Sequence, residues 1–160
     1  MTDFYQPPVS NVETPVIDDR TGPPWRGLLI GILIEFVGGI LVGILLVFGH
    51  GLLLMMFGMP TDEVVAFWTE FEFYSLTSLI LHGASLSMTF LGAYFCVRLI
   101  NYSLYKFAVI YAVISSILGV IIDMGSLYSI DQHIVLIIAT FALSLSAAWF
   151  HGYRKLQKQR

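Results

Sequence analysis

Four long apolar segments make up more than half of the chain: residues 27–49, 73–97, 107–127 and 133–152. Each has the roughly 20 residues that a helix needs to cross a hydrocarbon core about 30 Å thick. Only 12% of all residues are charged, against about 25% in a typical soluble domain. What remains is too short for a separate soluble domain. We therefore expect an all-α integral membrane four-helix bundle over residues 25–153.

The positive charges lie on alternate connections between these segments. The two tails and the second connection hold all eight Lys and Arg residues, and the first and third connections have none. Because Lys and Arg in short flanking pieces are retained on the cytoplasmic side, this pattern predicts that both termini are cytoplasmic. We expect a multi-pass protein of the cell inner (plasma) membrane, with the lipid bilayer as its first partner.

The two cytoplasmic tails differ in character. Residues 1–24 hold five of the six prolines and little apolar surface, so we expect a disordered segment. It is either an idle tail or a docking peptide, since aromatic-plus-proline segments bind with little ordering cost. The docking residues would be Phe4, Tyr5, Pro7 and Pro8. Residues 154–160 form a basic tail that either anchors the topology or binds anionic lipid headgroups. Its cations are Arg154, Lys155, Lys158 and Arg160.

The first apolar run is longer than one span requires. Between residues 27 and 59 only Glu35 and His50 interrupt it. A straight helix of this length would measure about 50 Å, well beyond the hydrocarbon core. We therefore expect a break or a strong tilt near residues 49–51, where two glycines flank His50.

A short helix is predicted directly after this run. Pro60 in a first turn, followed by Asp62 and Glu63 near the positive end of a helix dipole, is typical of a helix start. The apolar residues that follow share one helical face: Val64, Phe67, Trp68 and Phe71. The pattern predicts a short amphipathic helix on the outer side of the membrane, between the first and second spans.

Small residues recur at helical spacing in every span, which predicts close helix packing. In the first span four glycines and Glu35 follow each other at intervals of four. Such faces let two helix backbones approach closely in a membrane. The candidate packing residues are Gly27, Gly31, Gly39, Gly43, Ser78, Ser85, Gly92 and Gly119. We expect a tightly packed bundle with little internal volume.

Glu35 and His82 are the ionisable residues predicted to lie deepest in the membrane. Glu35 is about 12 Å from the start of its span on a helical rise, and His82 is nine residues from the outer end of the next span. A lone charge at such depth costs at least about 2.5 kcal/mol, so Glu35 should be protonated, paired or hydrated. Because the two depths match, we predict that the two side chains form an intramembrane polar pair. The pair would either hold the bundle together or form a proton-coupled or substrate site.

Other chemistry finds little support in the sequence. The single cysteine, Cys96, cannot form an internal disulfide. Asp131 and His133 are two residues apart, so they face away from each other on a helix, and no spacing typical of a metal site occurs. No nucleophile or acid–base motif is present. We predict no catalytic residue, no metal, no cofactor and no nucleic-acid partner, and therefore not an enzyme.

Four short motifs resemble a family of small, uncharacterised four-helix bacterial membrane proteins. FYQPP at residues 4–8 is similar to an NPYxPP-type start, and EFVGG at 35–39 is similar to an acidic-GG pattern in the first span. GMPTDE at 58–63 resembles the helix start that follows. LGAYFCVR at 91–98 resembles a GGYxxAR close to the second span, with Ala93 where glycine is usual. The resemblance implies a four-span architecture and a bacterial inner membrane, but no activity.

Two functions follow as hypotheses. The first is an accessory or scaffold protein that binds other membrane proteins, or itself, through its glycine-rich faces and cytoplasmic tails. The alternative is a small proton-coupled transporter or channel that uses Glu35 and His82. The one-sided charges argue against antiparallel dual-topology dimers. A cavity around Glu35 that opens to one side would favour transport, whereas a closely packed Glu35 would favour a scaffold.

Overall fold

The computed structural model describes residues 23–69, 73, 75–123 and 129–158, and all regular structure in these residues is helical. The helices are α1 (Pro24–Met56), α2 (Thr61–Thr69), α3 (Leu76–Ile100), α4 (Leu104–Asp123) and α5 (Ile130–Gln157). All but α2 are long and apolar enough to cross a membrane. The prediction of an all-α protein with four membrane-spanning helices is confirmed. The docking residues Phe4, Tyr5, Pro7 and Pro8, together with Arg160, lie outside the described residues.

Local capping signals set several helix ends. Pro24 occupies the first turn of α1, where a missing backbone N–H costs nothing. The Ser75 hydroxyl accepts from the backbone N–H of Ser78 at 3.2 Å and begins α3. Asn101, in the left-handed conformation with φ 55°, ends α3. The side chain of Gln132 accepts from the backbone N–H of Ser129 at 2.9 Å within a capping box that begins α5.

Of the two alternatives predicted for α1, the break is wrong, because α1 is one continuous helix of 33 residues, and the strong tilt stays a prediction. The glycines at 49 and 51 cost only about 0.5–1 kcal/mol each in a helix interior. A break in lipid would leave backbone groups without partners at several kcal/mol each, so the helix continues. Gly51 is moreover buried, and a Cβ placed there would lie 3.5 Å from Val64 of α2.

The short helix after α1 is confirmed, and it folds back onto the end of α1. Val64 is buried on Gly51, and Asp62 and Glu63 lie in the first turn of α2. The ring of His50 packs against Phe67 and Trp68, with centroid separations of 5.5 and 5.4 Å. These contacts attach α2 to α1 and cover one apolar face of α2, which is otherwise exposed.

The helix α3 is the central element of the bundle. It contacts α1, α4 and α5, and α4 packs along α5, whereas α1 touches α4 over a short stretch and has no contact with α5. Consecutive long helices run antiparallel, so the start of α1 and the end of α5 lie at one end. We call this the basic end, since it carries Arg26, Arg98, Lys106, Arg154, Lys155 and Lys158. The opposite end, with α2 and the start of α5, is the acidic end.

Small side chains dominate the interface between α3, α4 and α5. The fully buried members of this core include Ala93, Ala108, Ala112, Ser144 and Ala147. Such residues allow the close backbone approach that holds helices together where no hydrophobic effect operates between them. At these positions α3, α4 and α5 turn small residues toward one another. Large apolar side chains such as Leu45, Phe48 and Ile138 point outward, as lipid contact requires.

Candidate functional site

Three hydroxyl groups surround the carboxyl group of Glu35 in the middle of the bundle. Thr89 of α3 and Ser115 of α4 donate to Oε1 at 2.6 and 2.7 Å, and Tyr111 of α4 donates to Oε2 at 2.6 Å. An ionised carboxyl group is an acceptor with about four lone-pair positions, so these donors occupy most of them. Hydrogen bonds to a charged group contribute about 1.5–3 kcal/mol each, which offsets part of the cost of placing Glu35 there. The network ties α1, α3 and α4 together.

A contact between two glycines brings these groups within reach. A Cβ on Gly31 would lie 2.6 Å from the carbonyl oxygen of Gly92, and a Cβ on Gly92 would overlap the Tyr111 hydroxyl. Only glycine at both positions leaves room for that hydroxyl between α1 and α3. Glu35 lies one turn along α1 from Gly31, so the same close approach carries its carboxyl group to Thr89.

Tyr111 is the site residue that sequence reasoning missed. It is fully buried, and it lies one helical turn from Ser115 on the same face of α4. A tyrosine and a serine four residues apart in the middle of an apolar span were the available signal. The other two donors, Thr89 and Ser115, are small polar residues of the kind that also serve helix packing, so their types alone do not indicate a bond to Glu35.

The predicted pairing of Glu35 with His82 is corrected by the register between α1 and α3. Gly31 faces Gly92, and Glu35 faces Thr89, which is seven residues and about 10 Å along α3 from His82. The predicted depths are counted from opposite ends of two helices. Because these helices are longer than the hydrocarbon core is thick, matching counts do not mean that the two residues lie at the same depth. The His82 ring instead packs against Phe73, with centroids 4.7 Å apart.

A cavity of about 400 Å³ extends from Glu35 toward the acidic end, with walls from α1, α3, α4 and α5. The rim residues Ile40 and Ile122 are 61% and 63% exposed, so the cavity opens to the outside of the bundle. The expectation of little internal volume is therefore wrong in this half. The reason is that α1 meets α4 only over a short stretch, and a Cβ at Gly39 or Gly119 would find no atom within 4 Å.

Among the described residues, the cavity is lined by one acidic group in a mixed environment. Its polar groups include Glu35, His82, Ser85, Thr89, Ser115, His133 and Thr140, and the rest is mainly aliphatic. His133 is oriented by its Nδ1, which donates to the carbonyl oxygen of Ser129 at 3.0 Å. None of the described Lys and Arg residues lines the cavity. The two predicted residues Glu35 and His82 thus share one cavity, at different depths.

The predicted packing residues divide between the two halves of the bundle. Gly27, Gly31 and Gly92 form close contacts in the basic half, with a Cβ on Gly27 falling 2.7 Å from Ile100. Ser78 is buried, and Ser85 lines the cavity. The others, Gly39, Gly43 and Gly119, have no neighbour within 4 Å of a Cβ position. The glycine face of α1 is therefore filled by α3 over its first half only.

Of the cations predicted to bind headgroups, Arg154 and Lys155 stand on the last turn of α5, and Lys158 directly follows its end at Gln157. Lys155 donates to the side-chain oxygen of Asn101 at 3.2 Å, and Arg154 donates to the Tyr94 hydroxyl at 3.5 Å. These bonds connect α5 to the end of α3. Among the described residues, no three His, Cys, Asp or Glu side chains come together as a metal site would require.

No family model, curated protein or solved structure matches this chain. The chemistry of the site therefore has to be inferred from its own geometry. In the part of the chain that the structure describes, that geometry comprises the Glu35 carboxyl group with three neutral hydrogen-bond partners, at the inner end of an open cavity that no Lys or Arg lines.

Proposed function

We propose that the protein is a small proton-coupled transporter or channel, in which the cavity binds a cation and Glu35 exchanges it for a proton. One observation carries the proposal: the carboxyl group of Glu35 lies at the inner end of an open cavity, and none of the described Lys and Arg residues lines that cavity. An ionised Glu35 without a cation beside it is costly in a membrane. Either a proton or a bound cation removes that cost, so the two compete for one group.

The lining favours an organic cation with an apolar body. A volume of about 400 Å³ is within the range of pockets for small molecules. One carboxyl group suits a single positive charge, and the aliphatic walls, such as Leu86, Leu136 and Ile137, suit hydrocarbon. The proposed role is binding and passage of this ligand without chemical conversion. His82 lies on the wall between Thr89 and the acidic end, where it would meet a proton on its way to or from Glu35.

Binding of tetraphenylphosphonium to the purified protein tests the site, because this probe is cationic, apolar and carries no exchangeable proton. We expect binding to release a proton from Glu35 and to weaken as the pH falls, since protons compete for the carboxyl group. Glu35→Gln should abolish both effects. Glu63→Gln, which changes an exposed carboxyl group outside the cavity, should leave them intact. The neutral triphenylphosphine oxide should bind weakly to every variant.

Retention of tetraphenylphosphonium binding by a folded Glu35→Gln variant would refute the proposed site. Transport itself is tested in proteoliposomes, where a pH gradient should drive accumulation of the probe by the parent protein and not by Glu35→Gln. Binding without accumulation would overturn the transport role and show that the protein only binds cations.

We further infer that the basic end faces the cytoplasm, so that the cavity opens outward and α2 lies on the outer surface of the inner membrane. Support comes from the cations, because all those in the described residues gather at one end of the bundle. On this orientation, ligand and protons would reach Glu35 from the outer side through the acidic end.

A scaffold role is the second candidate, and one observation favours it. A Cβ at Gly43 or Gly49 of α1 would find no atom within 4 Å, so a helix of another membrane protein or of a second copy could approach there. Purification in mild detergent should then recover a partner, which Gly43→Ile should lose and the nearby exposed change Leu45→Ile should keep. Equal recovery by both variants would contradict this role.

A further inference from the structure

A second concave surface lies at the basic end, between α4 and α5. This α4–α5 groove is lined by Tyr105, Trp149, Gly152, Tyr153, Lys155 and Leu156 and has a volume of about 530 Å³. Its position at the ends of two membrane-spanning helices is where a lipid headgroup region meets a protein. The groove lies at the opposite end from the mouth of the Glu35 cavity and shares no residue with it.

Aromatic rings form much of the groove, and two of them come from residues that flank Gly152 in the sequence. The rings of Trp149 and Tyr153 stack at 5.6 Å between centroids and 15° between planes. Gly152 lies between them in the sequence and packs α5 against α4, since Cδ1 of Leu104 would lie 3.7 Å from a Cβ there. Trp149 is 59% and Tyr105 56% exposed, so both rings are available to a ligand.

One fixed cation stands in this groove. The Lys155 ammonium donates to the side-chain oxygen of Asn101 at 3.2 Å, which holds it in place and leaves further N–H donors for another acceptor. Among the described residues, no acidic side chain lines the groove. A groove that combines aromatic rings with one ammonium group is complementary to a phospholipid, which joins acyl chains to a phosphate.

We propose that the α4–α5 groove binds one anionic phospholipid, with the phosphate against Lys155 and an acyl chain along Trp149, Tyr153 and Tyr105. The ligand class is a diacyl lipid with a net negative headgroup, such as phosphatidylglycerol. Tryptophan and tyrosine favour the headgroup level, and each Lys or Arg near the surface adds attraction for anionic lipid. The site is independent of any role of Glu35.

Quenching of Trp149 fluorescence by brominated lipid tests the proposal. The chain has three tryptophans, so Trp25→Phe with Trp68→Phe leaves Trp149 as the sole emitter. In phosphatidylcholine nanodiscs, a minor fraction of brominated phosphatidylglycerol should quench Trp149 more than the same fraction of brominated phosphatidylcholine. The preference should be about fivefold in apparent affinity, as expected for one lysine near the surface. Lys155→Gln should abolish the preference, and Lys155→Arg should keep it.

Lys106→Gln is the matched control, because Lys106 is an exposed cation of α4 at the same end of the bundle and does not line the groove. It should leave the preference unchanged. Equal quenching by the two brominated lipids in the parent would overturn the proposal. So would an equal loss in Lys106→Gln and Lys155→Gln, which would indicate diffuse attraction to the whole basic end.

Discussion

The Tyr111 hydroxyl donates to Oε2 of Glu35 at 2.6 Å, in the space that Gly31 and Gly92 leave between α1 and α3. This bond links the α1–α3 pair to α4 at the inner end of the cavity. The bond lies between two regions: the close contact of α1 with α3 in the basic half, and the cavity in the acidic half. The same few residues therefore carry both the packing of the bundle and the proposed binding site.

Tyr111→Phe should lower the free energy of unfolding by about 1–2 kcal/mol, because it removes one donor from a carboxyl group that is partly buried. Thermal unfolding in detergent, followed by circular dichroism, measures the change. Tyr105→Phe is the control, since Tyr105 is an exposed tyrosine of the same helix. Equal losses in the two variants would show that the Glu35 bond contributes nothing.

Gly92→Ala should destabilise the bundle by about 1–3 kcal/mol, because its Cβ would overlap the Tyr111 hydroxyl and the backbone of α1. Gly43→Ala should be neutral or stabilising by up to about 1 kcal/mol, since open space surrounds that position and alanine favours a helix. The same unfolding measurement compares the two. A larger loss from Gly43→Ala would mean that the acidic half of α1 packs against something in the folded protein.

The register of α1 against α3 can be tested by thiol crosslinking in a Cys96→Ala background. Glu35→Cys combined with Thr89→Cys should react efficiently with a short bifunctional reagent. Glu35→Cys combined with His82→Cys should react poorly, because His82 lies about 10 Å further along α3. Efficient crosslinking of the second pair alone would restore the pairing that the sequence depths predict.

Reporter fusions test the orientation. A fusion after Arg160 should be active with a cytoplasmic reporter, and an insertion after Gly58, in the turn between α1 and α2, should be active with an external one. The positive-inside rule gives this result, since the basic end carries every Lys and Arg of the described residues. The reverse pattern would place the cavity mouth on the cytoplasmic side.

The spans and the short helix α2 could be predicted because each depends on local information. Apolar length predicts a span, and Pro60 with Asp62 and Glu63 predicts a helix start. Glu35 was recognisable as the central group of a site because an acid in an apolar run is costly.

The partners of Glu35 could not be predicted in the same way. They depend on the register of α1 against α3, and counting from the ends of helices longer than the bilayer does not fix a depth. The cavity exists because no helix packs closely against Gly39. In the sequence, Gly39 belongs to the same four-residue repeat as the closely packed Gly31, so the repeat does not distinguish the two positions. The spacing of small residues predicts that another helix can pack closely against a face. Whether a helix lies there depends on the arrangement of all the helices in the bundle.

The unbroken length of α1 makes hydrophobic mismatch a property of this protein. A rod of about 50 Å fits a hydrocarbon core of about 30 Å only by tilting or by deforming the lipid around it. Because α1 is packed along α3 and touches α4 over a short stretch only, few contacts fix the angle between α1 and α4. We therefore expect access to Glu35, which α1 carries, to depend on the thickness of the surrounding bilayer.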